Sequence, residues 1–451
     1  MRVYEYNNYI DHSQAEGFSS FYIRKEPLFG TILRMIGGKM ELLDRFLRYV
    51  KVYTTSDPES ETVPTTARQL DLAKILCDDL KEIGVEDAHI SEYGYVYGTV
   101  PASEGYEDSP ALGLIAHMDT APDFSGEHVS PQVIPDYDGK DIPLGSSGRT
   151  ISPDMFPHLP SLAGRTMITT DGTTLLGADD KAGVTEIICA AETVIREKRP
   201  HGKICIAFTP DEEVGKGPDH FNVKEFGADY GYTFDGGPEN EVSFDNFNAA
   251  AAVVKVKGFS IHPGSSKGKM INAGLVLYEF NSMLPAGDIP RETDGYEGFF
   301  HLTGMSGNVD SAKGTYIVRE HDKYLFDGRK KTMQHAAALL NEKYGEGTVT
   351  LEIRDQYRNM REVIEKVPFM MDFADRAIES VGLKPDHLPT RGGTDGATLS
   401  FMGLPCPNLG TGGYAFHGPF EHITLEGMEK SRDIALALID LYAKMDPKQQ
   451  A

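Results

Sequence analysis

The chain has 451 residues, 40% of them apolar and 25% charged, with a formal net charge of −24. This is the composition of a soluble globular protein, and the length exceeds what one core usually holds, so two domains are expected. The acidity argues against a nucleic-acid partner, whose phosphates need a basic face.

Residues 1–39 are polar and aromatic and end in Gly37-Gly38-Lys39. They read as an extension ahead of a domain that starts at Met40, where an amphipathic pattern begins. A helix is expected over 65–84, capped by Thr65 or Thr66, lined by Leu72, Leu76, Leu80 and Ile83, and stopped by Gly84. Ala111–Ala116 is a short continuous apolar run, suited to a strand buried on both faces. Residues 121–165, rich in Pro, Gly and Asp, read as a long irregular excursion of functional use. A helix over 181–195 and strands over 204–208 and 230–234 follow, the alternation of a mostly parallel α/β sheet. From Ala249 the texture changes. A β-rich run over 249–258, a helix over 272–283 and strands over 316–319 and 348–354 suggest a small α+β domain inserted into the larger one. The last helix is expected over 427–444.

No C-x-x-C pair occurs among Cys77, Cys189, Cys205 and Cys406, and Cys189 and Cys205 read as small core residues. This usage suits a reducing compartment. No stretch is long and apolar enough for a membrane span, and Met1–Tyr6 carries no secretory apolar segment, so a cytoplasmic location is expected.

Short polar motifs close the apolar runs: Ala116-His117-Met118-Asp119, Gly177-Ala178-Asp179-Asp180-Lys181, Pro210-Asp211-Glu212-Glu213 and Phe234-Asp235-Gly236-Gly237, with Phe416-His417-Gly418 much later. Singly each is weak, since a Glu-Glu pair or a Gly-flanked histidine is commonly surface. In order, at strand ends where open α/β sheets gather ligands, they describe a two-metal hydrolase. Two zinc ions want imidazole and carboxylate ligands with an open position. Three carboxylates and a hydroxide balance their charge, and neutral histidines complete the shells. Asp119, two residues beyond His117 on the same strand face, can fix the imidazole tautomer. Asp179 can bridge both ions, and Glu212 and Glu213 must diverge, one to metal and one towards water. Glu421 is either a support for a ligand or surface, and His422 is read as exposed.

On these residues the chain resembles the M20 metallopeptidase family. Longer matches at 117–126, 174–183, 246–250, 262–264 and 391–396 carry the resemblance from about Met40 to the C-terminus, with residues 1–39 outside it. It implies an α/β, mostly parallel-sheet dizinc catalytic domain over 40–247 and 358–451, with an inserted α+β lid over 248–357. It also implies two Zn²⁺ ions per subunit, one on His117, Asp179 and Asp235 and the other on Asp179, Glu213 and His417. Glu212 becomes the general base, and Asp119 orients His117. His262 would reach the scissile carbonyl oxygen, and Arg319 and Arg391 would bind the substrate's carboxylate end. The longer matches narrow the implied activity to a tripeptide aminopeptidase, with small peptides as partners, no nucleic acid and no membrane, and a homodimer left open. The alternatives are another activity of the family (dipeptidase, carboxypeptidase or N-acyl-amino-acid deacylase) and a non-catalytic peptide-binding protein.

Overall fold

The computed structural model describes residues 41–445. The extension over 1–39 lies outside the described residues, as does the expected domain start at Met40.

The main sheet has eight strands in the order His89–Ile90, Val96–Val100, Ile204–Thr209, Leu112–His117, Tyr230–Gly236, Asn408–Gly410, Glu241–Ser243 and Asp386–His387. Its centre is parallel: Leu112–His117 runs with both Ile204–Thr209 and Tyr230–Gly236, and Asn408–Gly410 runs with Tyr230–Gly236. Antiparallel partners flank this centre, Val96–Val100 on one side and Glu241–Ser243 on the other. Burial explains the continuous apolar runs. Leu114, Ala116, Ile206, Phe208, Tyr232 and Phe234 pack on one face with Val184, Ile187 and Ile188 and with Ile434 and Leu438 of the last helix, Leu425–Ala443. On the other face Ile115, Cys205 and Ala207 pack with Phe221, Phe226 and Leu399. The period-two alternation of a strand thus reads as unbroken apolarity because both faces are covered. All four cysteines are buried and unpaired with one another, as expected for small core residues at Cys189 and Cys205.

A second sheet is antiparallel throughout, in the order Phe299–Gly307, Ser311–Glu320, Asn248–Lys257 and Val349–Tyr357. Helices Ala273–Ser282 and Lys323–Tyr344 cover one face and form a separate core with Val254, Tyr316 and Val318. The longer helix is capped by Asp322, whose side chain accepts the N–H of Leu325 at 2.8 Å.

Some local expectations are corrected. The first long helix runs Gln69–Glu82, and neither threonine caps it. The N–H of Thr65 donates instead to the Asp211 carboxylate at 2.8 Å, and Thr66 donates to the carbonyl of Thr55. A buried carboxylate needs donors more than a helix end does. The excursion over 121–165 is not irregular throughout. It contains strands Pro131–Ile134, Ile142–Leu144 and Arg149–Ile151, and the first of these joins a small sheet with Met167–Thr170, His422–Thr424 and Gly413–Tyr414. His422 is fully buried, not exposed, because that sheet encloses it and its ring stacks against His158 and Tyr414.

Candidate metal centre

The parallel strands all end at one edge of the sheet, and the chain there turns sharply. His117 is the last residue of its strand, with Thr209 beside it in register. The peptide N–H of His117 donates to Asp180 at 3.0 Å. Its ring Nδ1 faces oxygens only, the Asp119 carbonyl at 3.1 Å and the Asp119 carboxylate at 3.3 Å. A ring nitrogen so surrounded carries the proton, which leaves the Nε2 lone pair free for a metal. That Nε2 lies 2.9 Å from Asp179 and 3.4 Å from Asp235.

Beyond Thr209 the chain passes through Asp211, whose φ of +60° starts the tight turn Glu212–Val214. Asp211 is buried and held by Thr65 and Gln69. Asp119 accepts the N–H of Glu212 at 3.1 Å and of Glu213 at 3.3 Å, so one carboxylate sets both the imidazole and the diglutamate turn. The glutamates diverge. Glu213 places Oε2 3.0 Å from His417 Nε2, while Glu212 groups with His117 and Asp235. His417 also meets Asp179 at 3.2 Å, and its other nitrogen lies 3.7 Å from Asp123. Asp179 therefore stands between the two histidines, touching one with each carboxylate oxygen. The helix Ala178–Glu197 begins before the expected 181, but Asp179 and Asp180 lack helical φ and ψ, which frees Asp179 to face the cluster.

The charge here is heavily negative. Burial, then the neighbouring Asp179, pushes Glu213 up to about 8, and burial pushes Asp235 up to about 6. Burial and Asp235 also raise Glu212 well above the carboxylate range. Against its burial, Asp179 is held low by His117 and His417. His417 is raised to about 11 by Asp179 and Glu213. His117 is raised too, its burial outweighed by Asp235, Asp119 and Asp179.

The residues fit two divalent ions. A tetrahedral ion with ligand bonds of about 2.0–2.1 Å places neighbouring donor atoms roughly 3.3 Å apart. The contacts of His117 with Asp179 and Asp235, and of His417 with Asp179 and Glu213, span 2.9–3.4 Å. Glu213 Oε1 is buried with no hydrogen-bond partner among the described residues, an acceptor without a donor.

The three residues expected to bind substrate make other contacts. His262 is exposed and takes the N–H of Gly264 within its own turn, and among the described residues no hydrogen bond or ion pair joins it to the cluster. Arg319 lies over the Tyr357 ring and donates to Gln356 at 3.2 Å. The guanidinium of Arg391 is engaged by the carbonyls of Thr293, Gly295 and Glu297.

Sequence reasoning passed over the buried acid Asp395 and left Glu421 open between a support for a ligand and surface. Asp395 accepts the Thr209 hydroxyl at 2.6 Å and is raised to about 7 by burial. Glu421 is 1% exposed and accepts backbone N–H groups of Leu176, Gly177 and Asp179. The only available signal was position, Asp395 inside the glycine-rich 391–396 match and Glu421 shortly after His417.

A model of the peptidase family M20/M25/M40 matches residues 170–441. The chain belongs to this family. It is 52% identical over 402 residues to a Peptidase T of Clostridium perfringens, covering 89% of this chain and 98% of the relative. Among solved structures, this M20 chain superposes on the aminopeptidase PepT of Bacillus cereus with a TM-score of 0.69 at 23% identity, covering 89% of this chain and 98% of the other. A tripeptidase of Staphylococcus aureus gives a TM-score of 0.70 at 20% identity, covering 90% and 98%. The M20 fold thus places the strand-end cluster in a peptidase scaffold.

Proposed function

We propose that this M20 chain is a metal-dependent aminopeptidase that releases the N-terminal residue of tripeptides. One observation carries the reading: a complete donor set at ligand spacing, in a chain 52% identical to a Peptidase T over 89% of its length.

His117, Asp179 and Asp235 would hold one zinc ion, and Asp179, Glu213 and His417 the other, with Asp179 shared. Bound there, such ions acidify water and polarise the scissile carbonyl. Glu212 accepts the proton of the attacking water on its carboxylate and returns it to the leaving amine. Asp119 keeps the His117 proton on Nδ1 and fixes the turn that presents Glu212.

The segments 40–247 and 358–451 would form the catalytic domain, with 248–357 as its lid. On closure, His262 would donate to the developing oxyanion. Arg319 and Arg391 would exchange their present partners for the substrate carboxylate. An extended residue spans roughly 3.3–3.6 Å, so metals at one end and a guanidinium at a fixed distance measure peptide length. A peptide of the wrong length leaves a charged end unpaired. Among the described residues no helix is long and apolar enough to cross a membrane, and the cysteines form no disulfides with one another. Both features are compatible with the cytoplasmic location we propose for this role in peptide breakdown.

Turnover of Ala-Ala-Ala, Ala-Ala and N-acetyl-Ala-Ala-Ala tests the reading. The free tripeptide is expected to be the preferred substrate. Preference for the dipeptide or the blocked peptide would move the assignment to a dipeptidase or a deacylase.

A further inference from the structure

Glu421 follows the histidine loop and immediately precedes the strand His422–Thr424, which pairs with Met167–Thr169. Its own N–H closes onto the carbonyl of Gly418 at 3.2 Å, so the segment from His417 to Glu421 is a closed turn rather than a loose loop. Its side chain crosses to a different part of the chain. Oε2 accepts the N–H groups of Leu176 at 2.7 Å and Gly177 at 2.9 Å, and Oε1 accepts that of Asp179 at 3.1 Å. These donors sit at the start of the helix Ala178–Glu197, where backbone N–H groups converge and favour an anion.

We infer that Glu421 is a positioning residue that locks the Asp179 turn against the His417 loop and so sets the spacing of the metal ligands those segments carry. The inference rests on the two-metal reading above. Asp179 and His417 stand 238 residues apart in sequence and 3.2 Å apart in space. The Glu421 carboxylate ties their two segments together directly. Both of its oxygens accept, and every partner is a donor, so only an all-acceptor group satisfies the site. Glutamine would turn an amide N–H towards a peptide N–H. Aspartate keeps the charge but is a methylene shorter, so it must draw the turns together or release one donor. Either change leaves Asp179 chemically intact while shifting its carboxylate relative to His417.

The test is zinc binding to the full-length protein and to Glu421→Gln and Glu421→Asp, read by competition with a chromophoric chelator. It is paired with the visible absorption of the Co²⁺-loaded forms and the melting temperature of the metal-free forms. Loss of an outer hydrogen bond to a metal site costs about 10–100-fold in metal affinity. The wild type is expected to hold two zinc ions tightly. The variants are expected to lose that much affinity for at least one ion and to show an altered Co²⁺ spectrum, beyond any change in metal-free melting. Should Glu421→Gln fail to fold, Glu421→Asp decides alone. A folded variant with wild-type zinc affinity and Co²⁺ spectrum overturns the inference, as does a loss of affinity that only tracks lowered metal-free stability. A wild-type protein that binds no zinc overturns the two-metal reading itself, which separates that failure from the failure of Glu421.

Discussion

The carboxylate of Asp119 accepts the peptide N–H of Glu212 at 3.1 Å while lying 3.3 Å from the Nδ1 of His117. One buried side chain therefore holds the imidazole proposed as a metal ligand and the turn that carries the proposed general base. Asp119→Asn can keep one oxygen on both of these neighbours but turns its amide NH2 towards the Glu213 N–H that the second carboxylate oxygen accepts. Zinc affinity or kcat/KM is expected to fall by about 10–100-fold, the usual cost of an outer-shell partner. Zinc competition and steady-state kinetics on the purified variant measure it.

Glu212 is assigned to moving a proton rather than holding metal. Glu212→Gln is expected to lower kcat on tripeptide by about 10²–10⁴-fold, the range for general acid–base groups. Zinc content by elemental analysis should stay at the wild-type level. Undiminished turnover would remove Glu212 from the proton pathway.

The buried histidine pair gives a pH dependence that does not involve the proposed ligands themselves. His158 and His422 meet nitrogen to nitrogen at 2.9 Å, and the Nδ1 of His422 contacts the Phe420 carbonyl at 2.7 Å. His422 must therefore be neutral at Nε2 to accept from His158. Burial, with the charge of His158 opposing a second positive charge, pushes His422 down to about 4. An unfolded imidazole titrates near ~6.5. As pH falls from there towards 4, the unfolded chain binds a proton that the folded chain refuses, so stability drops in that window and is level above it. Melting curves of wild type and His422→Gln, whose amide oxygen can still accept from His158, should show a shallower acid slope in the variant.

Arg391 presently spends its guanidinium on the carbonyls of Thr293, Gly295 and Glu297. Recognition of a substrate carboxylate by that fork needs its paired geometry, which lysine lacks. Arg391→Lys is expected to raise KM for Ala-Ala-Ala by about tenfold, corresponding to ~1.4 kcal/mol. KM for the C-terminal amide of the same peptide should change little. Equal effects on both would make Arg391 a structural clasp of the 293–297 loop.

Much of this was legible in the chain. The continuous apolar run at Ala111–Ala116 announced a doubly covered strand, and the polar residues that ended such runs announced the ligand edge. Nearest-neighbour patterns did not reveal Thr65 serving Asp211 or Glu421 serving the Asp179 turn, because those hydrogen bonds join segments 146 and 242 residues apart. His422 was misread for the same reason. A polar residue after a glycine-rich loop is ordinarily exposed, and only the sheet with Met167–Thr170 and the ring of His158 enclose it. The present partners of Arg391 were equally hidden, since they are backbone carbonyls of a loop about a hundred residues away.

The most direct test of the central claim is product analysis on a tripeptide with three different residues, Ala-Gly-Phe, after chelation and again after zinc is restored. The expected result is no cleavage without metal, and with zinc the release of free alanine together with intact Gly-Phe. Release of phenylalanine with Ala-Gly, or cleavage that persists through chelation, would contradict a metal-dependent aminopeptidase.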